Sequence, residues 1–532
     1  MKRESFYEEN ARGRARVLLD SGTYRELLGP FERIESPHLP LQGIVPQSDD
    51  GVVVARGTIR GREALVLSIE GRFQGGSIGE VNGTKIAAAL ELALRSARQK
   101  NPVVPVIVLD TAGIRLQEAN LGLLAIRDIH AAIVSLREFV PVIAVIAGRI
   151  GCFGGMGIAA ALCSVLIGTE IGRLGLNGPE VIEQEAGLQE FDSRDRQLIW
   201  STIGCRRRLE TGQIDILVED SVAAVSAAVG DKCQQAPTSG MRLTHPFEPP
   251  SAESLDRPIS PSLQDPSRPI SRGLSWLRAL SESATFDQTL PSVLSCDLRW
   301  DGEMVRLIAV VPDPNGRFPR ARAGQVGLEE GWGIANLVRQ VIAADENGQK
   351  RAILAIVDSP GQAFGLQEES IGIHESLAAA VDAYATARKK GHPVIALLVG
   401  KAISGAFLAH GLQADAILAI DADDVEVHVM SEESVARITR RDSLELGAIA
   451  ELVPATARDI RSFASLGGVD VVIPWANSDL TNHHAVATVK ARIVQAIQSA
   501  RLHSPEGADR FAAEKPQGMS SLVRLTMEKA WT

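Results

Sequence analysis

The sequence predicts an α/β protein built from two similar units in one chain. Three observations predict it. A strand–turn–helix pattern occurs twice: an apolar run from Val106 to Asp110, then Thr111, Ala112 and Gly113, then Gln117 and Glu118 opening a helical pattern. The second copy runs from Leu354 to Asp358, then Ser359, Pro360 and Gly361, then Gln367 and Glu368. A second apolar strand with a glycine turn follows each copy, at Val142–Gly148 with Phe153–Met156 and at Val394–Gly400 with Ile403–Ala406. A self-similar stretch of this length marks two similarly folded units. The strand runs are apolar throughout, which indicates buried, mostly parallel β structure covered by helices.

Taken in order, residues 8–29 carry a short helical pattern. Residues 51–70 alternate as two strands about a glycine-containing turn. Residues 73–80 form a loop, and Lys85 to Gln99 an Ala- and Leu-rich helix. A strand over 105–110, a helix over 117–137, a strand over 141–147, a helix over 155–163 and a strand from Ser164 complete the first unit. Residues 236–272 break the pattern with eight prolines and many Ser and Asp, the composition of an extended linker. The expected division is therefore 1–235, linker 236–272, and 273–532. The pattern restarts with strands near 293–311, then a helix over 329–346, strand 352–357, helix 367–389, strand 393–399, helix 405–412 and strand 415–420. Residues 440–532 read as mostly helical, a C-terminal extension of the second unit.

Bulk properties narrow the function. At 532 residues two domains are the natural expectation. A net charge of −10 and only 4% aromatic residues argue against nucleic acid as a partner, which needs basic surface and stacking platforms. Five cysteines without a C-x-x-C pair indicate neither a zinc ribbon nor a disulfide framework, and no metal is expected. The N-terminal residues lack an apolar signal core, and no 18-residue apolar stretch occurs. A cytoplasmic protein without membrane contact is expected.

The chemistry lies in the glycine turns. Glycine permits positive φ and close approach of backbone, and N–H groups at a strand end and a helix start lack partners. If the two strands of a unit are neighbours, the turns at Gly113/Ile114 and Gly155/Met156 supply donors around one oxygen. Those at Gly361/Gln362 and Gly405/Ala406 repeat the arrangement. Such an oxyanion hole contributes about 3 kcal/mol per donor. Ordinary βα turns give the same pattern singly; four turns in two matched pairs favour the catalytic reading. A thioester enolate needs its oxygen stabilised and no metal. The chain offers no G-x-S-x-G elbow, H-E-x-x-H or Walker A sequence.

Longer segments carry a resemblance. Phe73 to Ile86 resembles the F-x-G-G-S-M-G-x-x-x-G-x-K-I signature of the carboxyltransferase beta half; Ala112–Glu118 resembles its G-G-A-R-M-Q-E; Leu174–Gln184 resembles its F-A-G-P-R-V-I-E-Q. Asp358–Gly361 and Ile403–Ala406 resemble the D-T-P-G and glycine-rich turns of the alpha half. The chain thus resembles the carboxyltransferase branch of the crotonase-like superfamily, and within it the biotin-independent malonate decarboxylases, with beta and gamma subunits fused. Ala112 and Ser404 depart from the glycines usual there, and no biotin-attachment Met-Lys-Met occurs.

The resemblance implies two crotonase-like domains of repeated ββα units with helical N- and C-terminal extensions. It implies decarboxylation of a malonyl thioester on an acyl carrier protein, the enolate in the first turn pair and the malonyl carboxylate at the second. The substrate then rides on a phosphopantetheine-type arm of a separate carrier, and this chain binds no cofactor. Expected partners are the carrier and acyl-carrier transferase subunits, in a higher assembly. A biotin-dependent carboxyltransferase component is the alternative, and a non-catalytic scaffold a third. Gln117, Gln367 and Ser404 are candidate substrate contacts, and His374 a candidate proton donor at near-neutral pKa. His410 is expected to be structural. Arg317, Arg320 and Arg322 are the favoured carrier-binding cluster, with Arg206–Arg208 and Arg440–Arg441 as further basic candidates.

Overall fold

The computed structural model describes residues 4–237, 271–282, 285–287, 289–475, 480–502 and 518–531. The 238–270 part of the expected linker lies outside the described residues.

Each unit is one sheet. The first follows chain order: β1 (Arg25–Leu27), β2 (Val52–Ile59), β3 (Arg62–Ile69), β4 (Val104–Leu109), β5 (Ile143–Ile146), β6 (Val165–Thr169) and β7 (Ile216–Val218). The pairings β1–β2 and β2–β3 are antiparallel, and every later pairing is parallel. The second sheet repeats this with β8 (Val293–Trp300), β9 (Glu303–Val310), β10 (Ala352–Ser359), β11 (Val394–Ile403), β12 (Ala416–Asp421) and β14 (Val471–Pro474), while β13 (Glu426–His428) pairs with β11. Only β8–β9 is antiparallel. Each hairpin closes on two residues of positive φ, Arg60–Gly61 and Asp301–Gly302, the backbone that matches strand twist. The central strands β4 and β5 are buried throughout, as apolar runs in a parallel sheet must be. The expected α/β architecture of two similar units, each a parallel-rich sheet with helices, is present.

The matching helices start alike. Glu80–Arg98 and Leu328–Ala344 both open after an extended glycine, Gly79 and Gly327, whose N–H is taken by the third helical residue, Asn82 Oδ1 at 2.7 Å and Glu330 Oε2 at 3.0 Å. Ala119–Leu136 and Ile373–Lys389 lie between the central strands of their units. The units meet where Ala119–Leu136 and the Gly155–Leu162 helix pack on Ile373–Lys389 and the Ser404–Ala409 helix. Buried Arg137 pairs across this contact with Asp382, and Asn120 Nδ2 donates to Ala457 O at 2.9 Å. The stretch Leu116–Leu136 is apolar and long enough to span a membrane, but is mostly buried within the fold.

Three expectations are corrected. The N-terminal helix covers only Ala11–Leu18, capped by Asn10, and the chain then forms edge strand β1. The single helix over 367–389 is two, Leu366–Ile371 and Ile373–Lys389, broken where Gly372 adopts φ 101°. The region after residue 440 is mostly helical, as expected, and adds the short strand β14. The final helix, Met519–Trp531, packs on the first unit, not the second. Its Ser520 N donates to Glu80 Oε1 at 2.9 Å, Arg524 pairs with Glu91 and Asp128, and Trp531 Nε1 donates to Ser96 Oγ at 3.1 Å.

Candidate active site

β4 and β5 are parallel neighbours, with Leu109 opposite Ile146. Their C-terminal ends therefore lie side by side, and bridge pairing continues past them from Thr111 to Cys152 to Leu174. The two first-unit turns abut. Gly113 has φ 109° and Gly154 φ 60°, and a Cβ built on Gly154 would stand 3.0 Å from Gly113 Cα and 3.8 Å from Ile114 N. Only glycine satisfies both the dihedral and the contact.

The two turns leave particular donors open. Gly113 N–H donates to Thr111 Oγ1 at 3.1 Å, and Gly154 N–H to Leu176 O at 2.7 Å. The Ile78–Ile114 bridge uses Gly113 O and Arg115 N. It leaves Ile114 N–H without an acceptor among the described residues. Gly155 and Met156 are the first residues of the Gly155–Leu162 helix, whose leading N–H groups have no carbonyl one turn back. From behind, the buried His130 Nε2 donates to Gly155 O at 2.8 Å. Burial pushes that imidazole down to about 4, so it stays neutral.

The second turn pair has the same backbone and a different occupancy. Gly361 has φ 125°, and Ser404, with φ 51°, shares the positive φ that Gly154 has in the first unit. Gly405 N–H, expected to face substrate, donates instead to the side chain of Gln362, Oε1 at 3.0 Å. The Gln362 carboxamide is buried, and its Nε2 donates to Asn177 Oδ1 at 3.1 Å. The second pair is thus closed at Gly405 by its own chain; the backbone N–H groups of Gln362 and Ala406 belong to the same turns. The Gly113 expectation is corrected in the same way, since its donor is already committed and Ile114 carries the open N–H.

The repeated Asp of each turn is a brace. Asp110 accepts from Ile150 N at 2.8 Å and pairs with Arg14 at 3.0 Å, and Asp358 accepts from Lys401 N at 3.1 Å and Gly273 N at 2.8 Å. Arg115 is a second brace. It is buried, paired with Asp50 at 2.7 Å and Glu118 at 2.8 Å, and lies over the Phe73 ring. Burial pushes the Asp50 carboxyl up to about 6 despite that guanidinium.

The side-chain candidates separate. Gln117 is half-buried beside the first turn, with its carbonyl bonded by Gln42 Nε2. Gln367 is exposed, and the buried carboxylates are its neighbours Glu368 and Glu369. His374 is fully buried, so the expected proton donor is enclosed by protein. His410 is structural: Nε2 donates to Ile356 O at 3.1 Å and Nδ1 accepts from Tyr384 Oη at 2.9 Å. In the Arg317–Arg322 loop, Arg320 reaches Glu190 Oε2 at 3.2 Å, Arg322 bonds Gly316 O at 2.8 Å, and Arg317 lies over the Phe318 ring. The other basic groups are partly interior. Arg208 is fully buried against Glu369, and Arg441 bonds Gln42. The sequence hid the Arg208–Glu369 pair, because Arg208 stands in a run of three arginines that reads as a solvated face. Among the described residues, no group of three or more His, Cys, Asp and Glu is placed to hold a metal ion.

Comparison with known proteins places this geometry in a family. Residues 8–265 match the family described as carboxyl transferase domain, and residues 321–526 the malonate decarboxylase gamma subunit. Two malonyl-S-ACP:biotin-protein carboxyltransferases of Malonomonas rubra are similar. MADC is 45% identical over 229 residues, 41% of this chain and 72% of that protein. MADD is 45% identical over 163 residues, 30% of this chain; the match spans just over half, 56%, of its length. A Pseudomonas malonate decarboxylase hetero-tetramer, solved with malonate, is 54% identical over 45% of this chain and 87% of the matched chain, with a TM-score of 0.45. The first half thus matches a carboxyl transferase domain and the second a malonate decarboxylase gamma subunit, and the chain belongs to the carboxyltransferase family of malonate-decarboxylase type, as an enzyme that joins the beta-like and gamma-like halves in one polypeptide.

Proposed function

We propose that the chain decarboxylates a malonyl thioester carried on the phosphopantetheine-type arm of an acyl carrier protein. The observation that carries this reading is the open set of N–H donors on Ile114, Gly155 and Met156, gathered where Gly113 and Gly154 touch. The thioester oxygen accepts from these donors. The bond between the α-carbon and the carboxylate breaks, CO2 leaves, and the electron pair becomes the enolate, whose negative oxygen the same donors hold. The α-carbon then takes a proton from water, giving the acetyl thioester. Preorganised backbone donors stabilise developing charge without reorganising, which is why each such donor is worth about 10²–10³ in rate.

The second unit meets the carboxylate end through its two turns, by the N–H groups of Gln362 and Ala406, with Gly405 N–H committed to Gln362. Ser404, half-buried beside Gly405, is read as the side chain that bonds the carboxylate. The Arg317–Arg322 loop, Arg320 partly exposed at 39%, docks the carrier, and transferase subunits complete the assembly. Neutralising that loop weakens carrier binding and flattens its salt dependence; an unchanged Michaelis constant for carrier sinks the docking assignment. The test of the reaction is CO2 release from malonyl thioester without biotin or ATP. Carboxyl transfer to biotin is the second reading, favoured by the names of the two Malonomonas rubra relatives. It requires biotin for turnover.

A further inference from the structure

The geometry points to Glu369, on the second unit, as a positioning residue for the first-unit oxyanion turn; the inference rests on the reading of Ile114, Gly155 and Met156 as the hole. The fully buried carboxylate of Glu369 accepts from Asn177 N at 2.6 Å and from Leu176 N at 3.2 Å. Leu176 O in turn accepts from Gly154 N at 2.7 Å. Gly154, at φ 60° and ψ −145°, occupies backbone space open to glycine and closed to other residues, and its bond to Leu176 selects that conformation from the many a glycine can adopt. The next two residues are the donors Gly155 and Met156. One carboxylate thus fixes the loop that fixes the turn.

The loop is held from both sides. Arg208 donates through Nε to Leu174 O at 2.8 Å and through Nη1 to Glu369 O at 2.6 Å, and pairs with the carboxylate at 3.4 Å. Gly175 lies so close that a Cβ there would stand 2.7 Å from Glu369 Oε2. Asn177 is tied to the second unit again, by Gln362 Nε2 to its Oδ1 at 3.1 Å and by its Nδ2 to Ala363 O at 3.2 Å. The first hole is therefore shaped by second-unit side chains, which makes the joining of the two halves part of the catalytic geometry.

The test uses the full chain and malonyl-pantetheine thioester as substrate, with wild type, Glu369→Gln, Gly155→Ala and the double variant. Glu369→Gln keeps the size but removes the charge and one acceptor. The expected result is a fall in kcat of about 10²-fold, the scale of a small misplacement of reacting groups, with KM unchanged, and no further fall when Glu369→Gln is added to Gly155→Ala. Unchanged kcat in Glu369→Gln, or an equal fall in both backgrounds, overturns the positioning role. Unchanged kcat in Gly155→Ala overturns the hole itself, whatever Glu369→Gln does. Should Glu369→Gln fail to fold, Glu369→Asp, which keeps the charge opposite Arg208 and withdraws the acceptor from Leu176 and Asn177, is expected to lower kcat with KM unchanged; no change there overturns the role as well.

Discussion

Gln362 Oε1 accepts the N–H of Gly405 at 3.0 Å, and this one bond makes the two repeated turn pairs unequal. In the first unit the corresponding N–H, on Gly155, is left open. The carboxamide also binds Asn177, so Gln362→Ala strips partners from two buried groups at once. Each buried polar group left unpaired costs about 1–3 kcal/mol. The melting temperature of Gln362→Ala is expected to fall by several degrees, and that of Gln362→Met, which keeps the side-chain volume and loses the same bonds, to fall as well. An unchanged melting temperature in Gln362→Met would remove the bond from the account.

Gly154 and Gly113 are in backbone contact, and no side chain can move aside for them. Gly154→Ala adds positive-φ strain of about 1–2 kcal/mol to that collision. Turnover is expected to fall by about 10²-fold or more, with substrate binding less affected. A steady-state comparison of kcat and KM checks it; a rise in KM alone would place the turn in binding and not in the chemistry.

Three buried histidines set the acid side of stability. His130, His410 and His428 are each pushed down by burial to about 4. A depressed folded value means stability is whole above the unfolded value near 6.5 and is lost as pH falls toward 4. Each contributes up to about 3 kcal/mol across that window. Thermal melts from pH 7.5 to 4.5 are expected to drop steeply. His130→Asn, which removes one titrating group, gives a shallower slope; an unchanged slope contradicts the assignment.

Glu330 acts in the opposite direction. Fully enclosed, it is pushed up by burial to about 7 while accepting from Ser292 Oγ and Gly327 N. A carboxyl raised in the folded state favours the protonated form, so its stability is present at low pH and is lost as pH rises from about 4.5 to 7. Glu330→Gln is expected to raise the melting temperature at pH 8 and to leave it unchanged at pH 4.5. A stabilisation equal at both pH values would contradict the titration.

The sequence made much of this legible, for reasons that particular residues explain. The apolar runs of β4, β5, β10 and β11 announce buried parallel strands, and Gly113, Gly361 and Gly154–Gly155 announce the turns. Backbone geometry follows such local signals. Side-chain commitments do not. Nothing local indicates that Gln362 turns back on Gly405, that Thr111 takes the Gly113 N–H, or that Arg208 leaves a basic run for the interior. Each depends on a partner brought by the fold, and Arg208 and Glu369 stand 161 residues apart. The place of the Met519–Trp531 helix is hidden for the same reason, because its docking on Glu80, Glu91 and Asp128 is a tertiary fact.

The most direct test is CO2 release from malonyl-pantetheine thioester by the purified full chain, without biotin and without ATP, in wild type and Gly155→Ala. Open donors at Ile114, Gly155 and Met156 predict CO2 and acetyl thioester in equal amounts from wild type. They predict a rate lower by about 10²–10³ in the variant, whose added Cβ would stand 2.8 Å from Ile126 Cγ2 and 2.9 Å from Leu408 Cδ1 and displace the donor turn. Release that appears only when biotin is supplied, or at an equal rate in the variant, would contradict the account.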